Sequence, residues 1–374
     1  MRGRPDKFPL TTGVVLLYPN REHTSKHEAA VFEEIAKKLA LLKGYAFAGK
    51  YDSTVRYPGK LYFVPTTTVT DCQTARRLGI HDEEDLFGGV VPYPFVATKA
   101  ITHPLIGPDA VAPPGWSHAF ACRVKHVTLF GFSAFTLQDA RRAGALVLDR
   151  GSARIKPANG VGGRGQTVVS TSEELDAALA GIGEAKISHH GVAVEQNLVN
   201  VTTFSVGQVR VSDLLATYYG KQCSTKDGEG LDAYGGSELV VVRGDYERLI
   251  KLVRAPEVRM AIDQAVTYDA AAEEFPGFIA SRRNYDVAQG FDSEGRRCSG
   301  VLEQSWRIGG ASAAEVAALE AFRADSELDA VRASCVEAYG EHETPPNAVL
   351  NFRGIDDRVG AITKYTIVET DADR

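Results

Sequence analysis

Short apolar runs that alternate with helix-period segments, with glycine and proline at the joints, predict an α/β protein whose first part pairs its strands in parallel. Gly13-Val-Val-Leu-Leu-Tyr18 is an unbroken apolar run of the kind that is buried on both faces. From His27 to Leu42 apolar residues recur at helical spacing (Ala30, Phe32, Ile35, Leu39, Leu42), and Gly44 stops that helix. Lys60 to Pro65 reads as the next strand.

Further along, Pro104 to Pro114 is rich in Pro and Gly and suits a linker or a lid-type loop. Asp139 to Leu148 is helical, and Ala153-Arg-Ile-Lys156 is a strand. Gln166-Thr-Val-Val169 is a second strand, after which Thr171 and Glu174 form a capping box that opens a helix through Leu179. His189-His190 reads as a loop, because adjacent side chains on a strand would face opposite ways and could not share a metal. Gly191 to Glu195 is a strand, Phe204 to Tyr219 holds two more, and Ala313 to Phe322 is an Ala-rich amphipathic helix. Residues 330–374 read as a short helix and a final strand, with no assigned role.

With 374 residues the chain suits two or three compact lobes. At 44% hydrophobic and 24% charged it has the composition of a globular protein. The net charge of −6 and the scattered Lys and Arg argue against a nucleic-acid partner, which needs a basic surface. No apolar run approaches the roughly 20 residues of a membrane-spanning helix, and Gly13–Tyr18 is too short for a signal-peptide core. Five widely spaced cysteines (Cys72, Cys122, Cys223, Cys298, Cys335) form no CxxC pair, which favours a reducing, cytoplasmic setting.

Gly160-Val-Gly-Gly-Arg-Gly165 matches GxGxxG, but a dinucleotide loop must follow a strand and open a helix. Here a β pattern follows at once, no acidic residue closes a strand about 20 residues on, and no GK[ST] makes it a Walker A loop. The context is strand, glycine loop, strand. Glycines at such a tip let backbone N–H groups fold over phosphates. A hairpin without a ligand has the same pattern.

The stretch Arg154-Ile-Lys156-Pro-Ala-Asn-Gly160-Val-Gly-Gly-Arg-Gly165, followed by Val168-Val169, resembles the lysine strand and phosphate loop of the ATP-grasp superfamily. Upstream, Ala97-Thr98-Lys99 is similar to that family's first nucleotide lysine. Downstream, Val192-Ala-Val-Glu195-Gln-Asn-Leu198 resembles the strand between the lobes that meets the adenine. Asn284-Tyr-Asp286-Val287 and Gly300-Val-Leu-Glu303-Gln-Ser305-Trp-Arg307 resemble its two metal-binding strands, the second carrying an E-x-N-x-R run. Ser281-Arg-Arg-Asn-Tyr-Asp286 and Leu302-Glu-Gln-Ser-Trp-Arg-Ile-Gly-Gly-Ala311 resemble a bacterial family of unknown function within the superfamily.

The resemblance spans residues 90–320 and implies two α+β lobes whose antiparallel sheets grip a nucleotide, preceded by a Rossmann-like α/β domain. The boundaries it implies are residues 1–98 for the N-terminal domain, 99–190 for the small lobe and 191–330 for the large lobe, with 331–374 as an extension. It places ATP phosphates at Lys99, Lys156, Gly160, Gly162, Gly163, Arg164 and Gly165, and adenine at Glu195, Gln196, Asn197 and Leu198. Mg²⁺ would lie between Asp286, Glu303 and Ser305, with Arg283 and Arg307 on the transferring phosphoryl group. Period-two alternation puts residues 303, 305 and 307 on one face. Ser305 stands where the family has Asn, and the ribose acid falls near Thr202 or Thr203. The long interval from Asp286 to Glu303 makes Asp292 a competing first ligand. Thr225 to Gly236 reads as a surface loop near the acceptor site.

The function so implied is a Mg-ATP-dependent ligase. It would activate a small-molecule carboxylate as an acyl phosphate for attack by an amine or similar nucleophile. Two alternatives are an ATP-dependent phosphotransferase and a non-catalytic nucleotide sensor. A homodimer is in keeping with bacterial enzymes of this type.

Overall fold

The computed structural model describes residues 12–160, 165–226, 230, 232–340 and 342–370. Its first unit is a three-stranded parallel sheet in the order β2-β1-β3, from β1 (Gly13–Tyr18), β2 (Ala46–Lys50) and β3 (Lys60–Pro65). Helix α1 (Lys26–Lys43) crosses between β1 and β2. Ser25 caps its start in a capping box with Glu28, and Gly44 ends it at φ +66°. The unit continues through α2 (Cys72–Leu78) and β4 (Gly89–Val90). Among the described residues its parallel sheet stops at three strands, short of the doubled βαβαβ arrangement of a dinucleotide-binding domain. Phe32, Ile35 and Leu39 of α1 do not close a separate core, because they pack into one cluster with residues from the far half of the chain.

A second sheet has the antiparallel order β5-β8-β6-β7. After α3 (His118–Val124) come β5 (Gly131–Ala134), α4 (Leu137–Leu148), β6 (Ala153–Pro157), β7 (Thr167–Val169), α5 (Ser172–Ile182), α6 (Glu184–His190) and β8 (Val192–Gln196). The apolar faces of α4 and α5 cover this sheet with Ala140, Ala143, Val147, Leu175 and Leu179. Thr171 caps α5 as expected, accepting from Glu174 N. The His189-His190 pair ends helix α6 and does not lie in a loop. Gly191, at φ +85°, makes the turn back into β8.

The third sheet has eight strands, all antiparallel: β14-β13-β9-β10-β11-β15-β17-β16. They are β9 (Val199–Val211), β10 (Leu214–Lys226), β11 (Asp232–Arg243), β13 (Arg282–Phe291), β14 (Arg297–Ser305), β15 (Ala330–Tyr339), β16 (Val349–Asp356) and β17 (Gly360–Glu369). Helices α7 (Tyr246–Leu252) and α8 (Pro256–Ala272) and the short β12 (Ile279–Ala280) precede β13, and α9 (Ser312–Ala324) follows β14. Alternation along β9 sorts the two faces: Phe204 and Val206 pack with α8, whereas Val209 and Val211 pack with α9 and α1.

Two expectations change here. Residues 330–369 hold three strands and no helix among the described residues, and β15 completes the sheet beside β11. Of Thr225 to Gly236, residues 227–229 and 231 lie outside the described residues, and the ends belong to strands, since β10 runs to Lys226 and β11 starts at Asp232. Gly235 and Gly236 serve close strand approach. A Cβ on Gly236, at φ +132°, would lie 2.0 Å from Cys335 O on β15.

A buried ion pair joins α9 to the sheet. Arg282 meets Glu315 through two bonds, Nη2–Oε1 at 2.6 Å and Nε–Oε2 at 3.0 Å, with both side chains nearly inaccessible. Tyr218 donates to Glu315 Oε1 at 2.6 Å. Glu315→Ala leaves the Arg282 charge buried without its carboxylate, so it is expected to lower stability by about 3–5 kcal/mol. Urea unfolding checks this as a lower midpoint at unchanged slope.

Candidate active site

The two antiparallel sheets face each other across a cleft of about 250 Å³. From the smaller sheet it is lined by Arg154, Lys156, Glu195 and Gln196, and from the larger by Thr203, Gln222, Asp286 and Glu303. Leu129, Leu198, Ala288 and Leu302 form its apolar wall.

Lys156 lies on β6 opposite Ala193 of β8, and Glu195 is two residues further along the same face. Each is about 2% exposed and they form an ion pair. The other carboxylate oxygen of Glu195 meets Nε2 of the buried His103 at 2.9 Å. Burial acts to raise the Glu195 pKa, but the Lys156 charge and the His103 bond outweigh it and hold it at about 2. The Glu195 side chain is thus engaged by Lys156 and His103, which differs from its expected place against the adenine. His103 escaped the sequence reading because nothing in its neighbours marks a buried partner 92 residues away.

Lys99 joins the two sides. It sits in a single 3₁₀ turn, Lys99–Thr102, started by Thr98, and its backbone N–H donates to Ala158 O at the end of β6. Its ammonium donates to Gly160 O and lies 2.5 Å from Glu303 Oε2. Gly162, Gly163 and Arg164 lie outside the described residues. Gly165 has φ +75°.

On the larger sheet Asp286 of β13 stands opposite Glu303 of β14, with a register shift between Asp286 and Val287. The pairing partners on β14 change from Glu303 to Val301 there, which makes Leu302 the extra residue. On its other side Asp286 faces Ser205 of β9. Asn284 Nδ2 and Ser205 Oγ donate to Asp286 Oδ1 at 3.0 and 3.3 Å, and Asn284 Oδ1 shares the single Tyr218 hydroxyl proton with Glu315 Oε1. Burial first, and then the like charge of Glu303, push the Asp286 carboxyl above the usual range. Asp292 is not part of this arrangement. It closes the β13–β14 turn, where its Oδ1 accepts from Glu294 N and Arg296 N and its Oδ2 from Arg296 Nε.

The arginines fall differently from the sequence reading. Arg283 projects from the opposite face of β13 to Asp286, because residues 283 and 286 differ by an odd number. There it pairs with Asp269 at 3.0 Å, Glu273 at 2.5 Å and Glu83 at 2.9 Å, on the side covered by α8. The expected contact of Arg283 with a transferring group is therefore not met by this geometry. Arg282 has the correct parity, but besides Glu315 it donates to Ser305 O, Ser305 Oγ and Arg307 O at 3.0, 3.1 and 2.8 Å. The Ser305 hydroxyl thus accepts from Arg282. Arg307 donates to Ile308 O, and among the described residues it forms no salt bridge. Burial, followed by the nearby charges of Arg21 and Arg282, lowers it to about 10. Asn197 accepts from Arg154 at 2.7 Å and donates to Ser152 Oγ, so its side chain holds the rim of the cleft.

Among the described residues no three His, Cys, Asp or Glu side chains converge. The Asp286–Glu303 pair offers hard oxygen donors from two neighbouring strands, a set that suits Mg²⁺ when phosphate oxygens and water complete its shell. No helix among the described residues is long and apolar enough to cross a membrane.

No curated protein matches the chain. Among solved structures it is similar to D-alanyl-alanine synthetase A from Vibrio cholerae O1 biovar eltor, with 12% identity, a TM-score of 0.50, and 80% of this chain and 90% of that one covered. It is also similar to phosphoribosylamine–glycine ligase from Thermotoga maritima, at 14% identity and a TM-score of 0.48, covering 96% and 92%. The first likeness is one of fold, and the fold is that of the ATP-grasp superfamily. The sequence profile of the family described as "Protein of unknown function (DUF3182)" matches residues 15–366, and the chain belongs to that family.

Proposed function

We propose that this chain is an ATP-dependent ligase that binds Mg-ATP between residues 99–190 and 191–330. It activates a small-molecule carboxylate as an acyl phosphate, which an amine or similar nucleophile then attacks. The observation that carries this reading is the placement of charge in the cleft. Two lysines from the smaller lobe, Lys99 and Lys156, face a carboxylate pair, Asp286 and Glu303, on the larger one. Such a set binds a polyphosphate by its oxygens and its metal at once. The ligase-type fold supports it, and so does the apolar wall of Leu129, Leu198, Ala288 and Leu302, which suits a flat base.

Roles follow from position. Lys156, held in an ion pair with Glu195, is a fixed cation for phosphate oxygens, and Lys99 is a second one. Asp286 and Glu303 hold Mg²⁺, which supplies neutralisation of charge across the phosphates. Asn284, itself oriented by Tyr218, keeps one oxygen of Asp286 aimed. Arg307 lies at the end of the E-x-S-x-R run, on a segment braced by Arg282, and stabilises charge on the transferring group. Closing the lobes on the nucleotide excludes water from the acyl phosphate. A cytoplasmic location follows from the choice of ATP as substrate.

Mg-ATP and Mg-ADP are expected to raise the melting temperature, with a gain of about 2.7 kcal/mol at a ligand concentration of 100 Kd. Lys156→Met should weaken that gain by at least about tenfold in Kd, and NADH should produce none. Differential scanning fluorimetry reads all three, and a flat response to adenine nucleotides would sink the reading.

Asp286 gives a test of opposite sign. Its pKa is raised in the folded state, so its contribution favours folding below the unfolded value and is lost as pH rises through the folded one. At neutral pH its ionised form therefore costs stability. Asp286→Asn is expected to abolish Mg-dependent turnover while melting higher than wild type at pH 7 without nucleotide. The difference should shrink as pH falls towards the ordinary carboxylate range. A lower melting point for the variant at pH 7 would contradict the assignment.

A further inference from the structure

Two carboxylates opposite each other on neighbouring strands repel, and a cation between them relieves that repulsion. The cation beside the Glu303 member of this pair is Lys99. Its side chain is 5% exposed, it lies 2.5 Å from Glu303 Oε2, and it also donates to Gly160 O. An ammonium has three protons, so these contacts use most of its capacity. A divalent ion on the Glu303 oxygen that holds Lys99 would be repelled by the ammonium, because two cations would share one oxygen at bonding distance.

Lys156 behaves differently. Its partner Glu195 lies on the smaller lobe, is buried, and is also held by His103, so this pair does not occupy the Asp286–Glu303 face. Glu303 keeps 29% of its side chain exposed and can be reached from the cleft. The contact between Lys99 and Glu303 is therefore the ion pair of the two that a charged ligand can reach from the cleft.

We propose that Lys99 is an internal stand-in for the metal: it occupies the Glu303 end of the carboxylate pair until a nucleotide's phosphates draw it away. Metal and nucleotide thus bind in a coupled manner, with the metal alone binding weakly. This rests on the nucleotide reading above. The same ammonium links Gly160 O to Glu303. Nucleotide entry then draws Lys99 from Glu303 and frees the carboxylate in a single event. By linkage, whatever factor nucleotide adds to metal affinity, metal adds to nucleotide affinity.

The probe is Mn²⁺, counted by electron paramagnetic resonance of the free ion, with full-length protein and with or without a non-hydrolysable ATP analogue. Wild type should bind Mn²⁺ weakly alone and much more tightly with the analogue. Lys99→Met should bind Mn²⁺ alone about tenfold more tightly than wild type, and the analogue should add less. Lys99→Arg, which keeps a cation beside Glu303, should bind Mn²⁺ alone as weakly as wild type does. Thermal melts of each variant establish that it is folded. If wild type binds nucleotide and folded Lys99→Met binds Mn²⁺ no better than wild type, the stand-in role is overturned alone. If wild type binds no adenine nucleotide at all, the nucleotide reading falls and takes this inference with it.

Discussion

A guanidinium buried beneath the larger sheet orders the side of the cleft that carries the acids. Arg282 reaches the carboxylate of Glu315 with one edge and three oxygens of the Ser305–Arg307 segment with another nitrogen. One residue thus fixes the start of α9, the end of β14 and the position of β13 between them. A charge withdrawn this far from water needs its partners in good geometry, or the site is strongly unfavourable. The consequence is rigidity where the candidate site needs it. Asp286 and Glu303 lie on the two strands that Arg282 ties together, and Asn284 and Tyr218 extend the same network to the Asp286 carboxylate. Its oxygens are held by structure that a ligand does not have to order.

The smaller lobe follows another logic. Lys156, Glu195 and His103 are buried together, and the two oxygens of Glu195 are divided between Lys156 and His103. Lys99 is the connection between the two regimes. It is anchored by its backbone to the end of β6, yet its ammonium rests on the opposite lobe. Charge balance in the cleft is therefore kept by protein groups, and in the proposed function a polyanion with a divalent ion would exchange one set of pairs for another.

Much of the fold was legible in the sequence. The apolar run at Gly13–Tyr18, the capped helix after it, the Thr171 cap and the Ala-rich α9 all appear within a few residues of their expected places, although Glu174 accepts from Ser170 N and so does not close the expected capping box. Of the expected site residues, Lys156, Glu195, Gln196, Leu198, Asp286 and Glu303 line one cleft, and Lys99 meets Glu303. The errors have particular causes. Arg283 and Arg282 are neighbours of like chemistry, and only strand parity separates the residue facing α8 from the one beneath α9. Glycines at 235 and 236 suggest a loop when the chain is read alone, whereas they permit close strand packing, Gly235 against Thr225 and Gly236 against Cys335. Residues 330–369 lack clear alternation because β15 lies between β11 and β17 with side chains on both faces.

By itself the sequence determined the local elements, the α/β class and the order of the charged motifs along the chain. Those depend on periodicity, capping and spacing, which act over a few residues. Tertiary structure alone decided the partners: Glu195 with His103 across 92 positions, Lys99 with Glu303, Arg282 with Glu315, and Asp292 with its own turn. It also decided that the final strands finish the central sheet. Burial and pairing are properties of residues brought together by chain reversal. A charged side chain has no partner in sequence until the register of the strands assigns one.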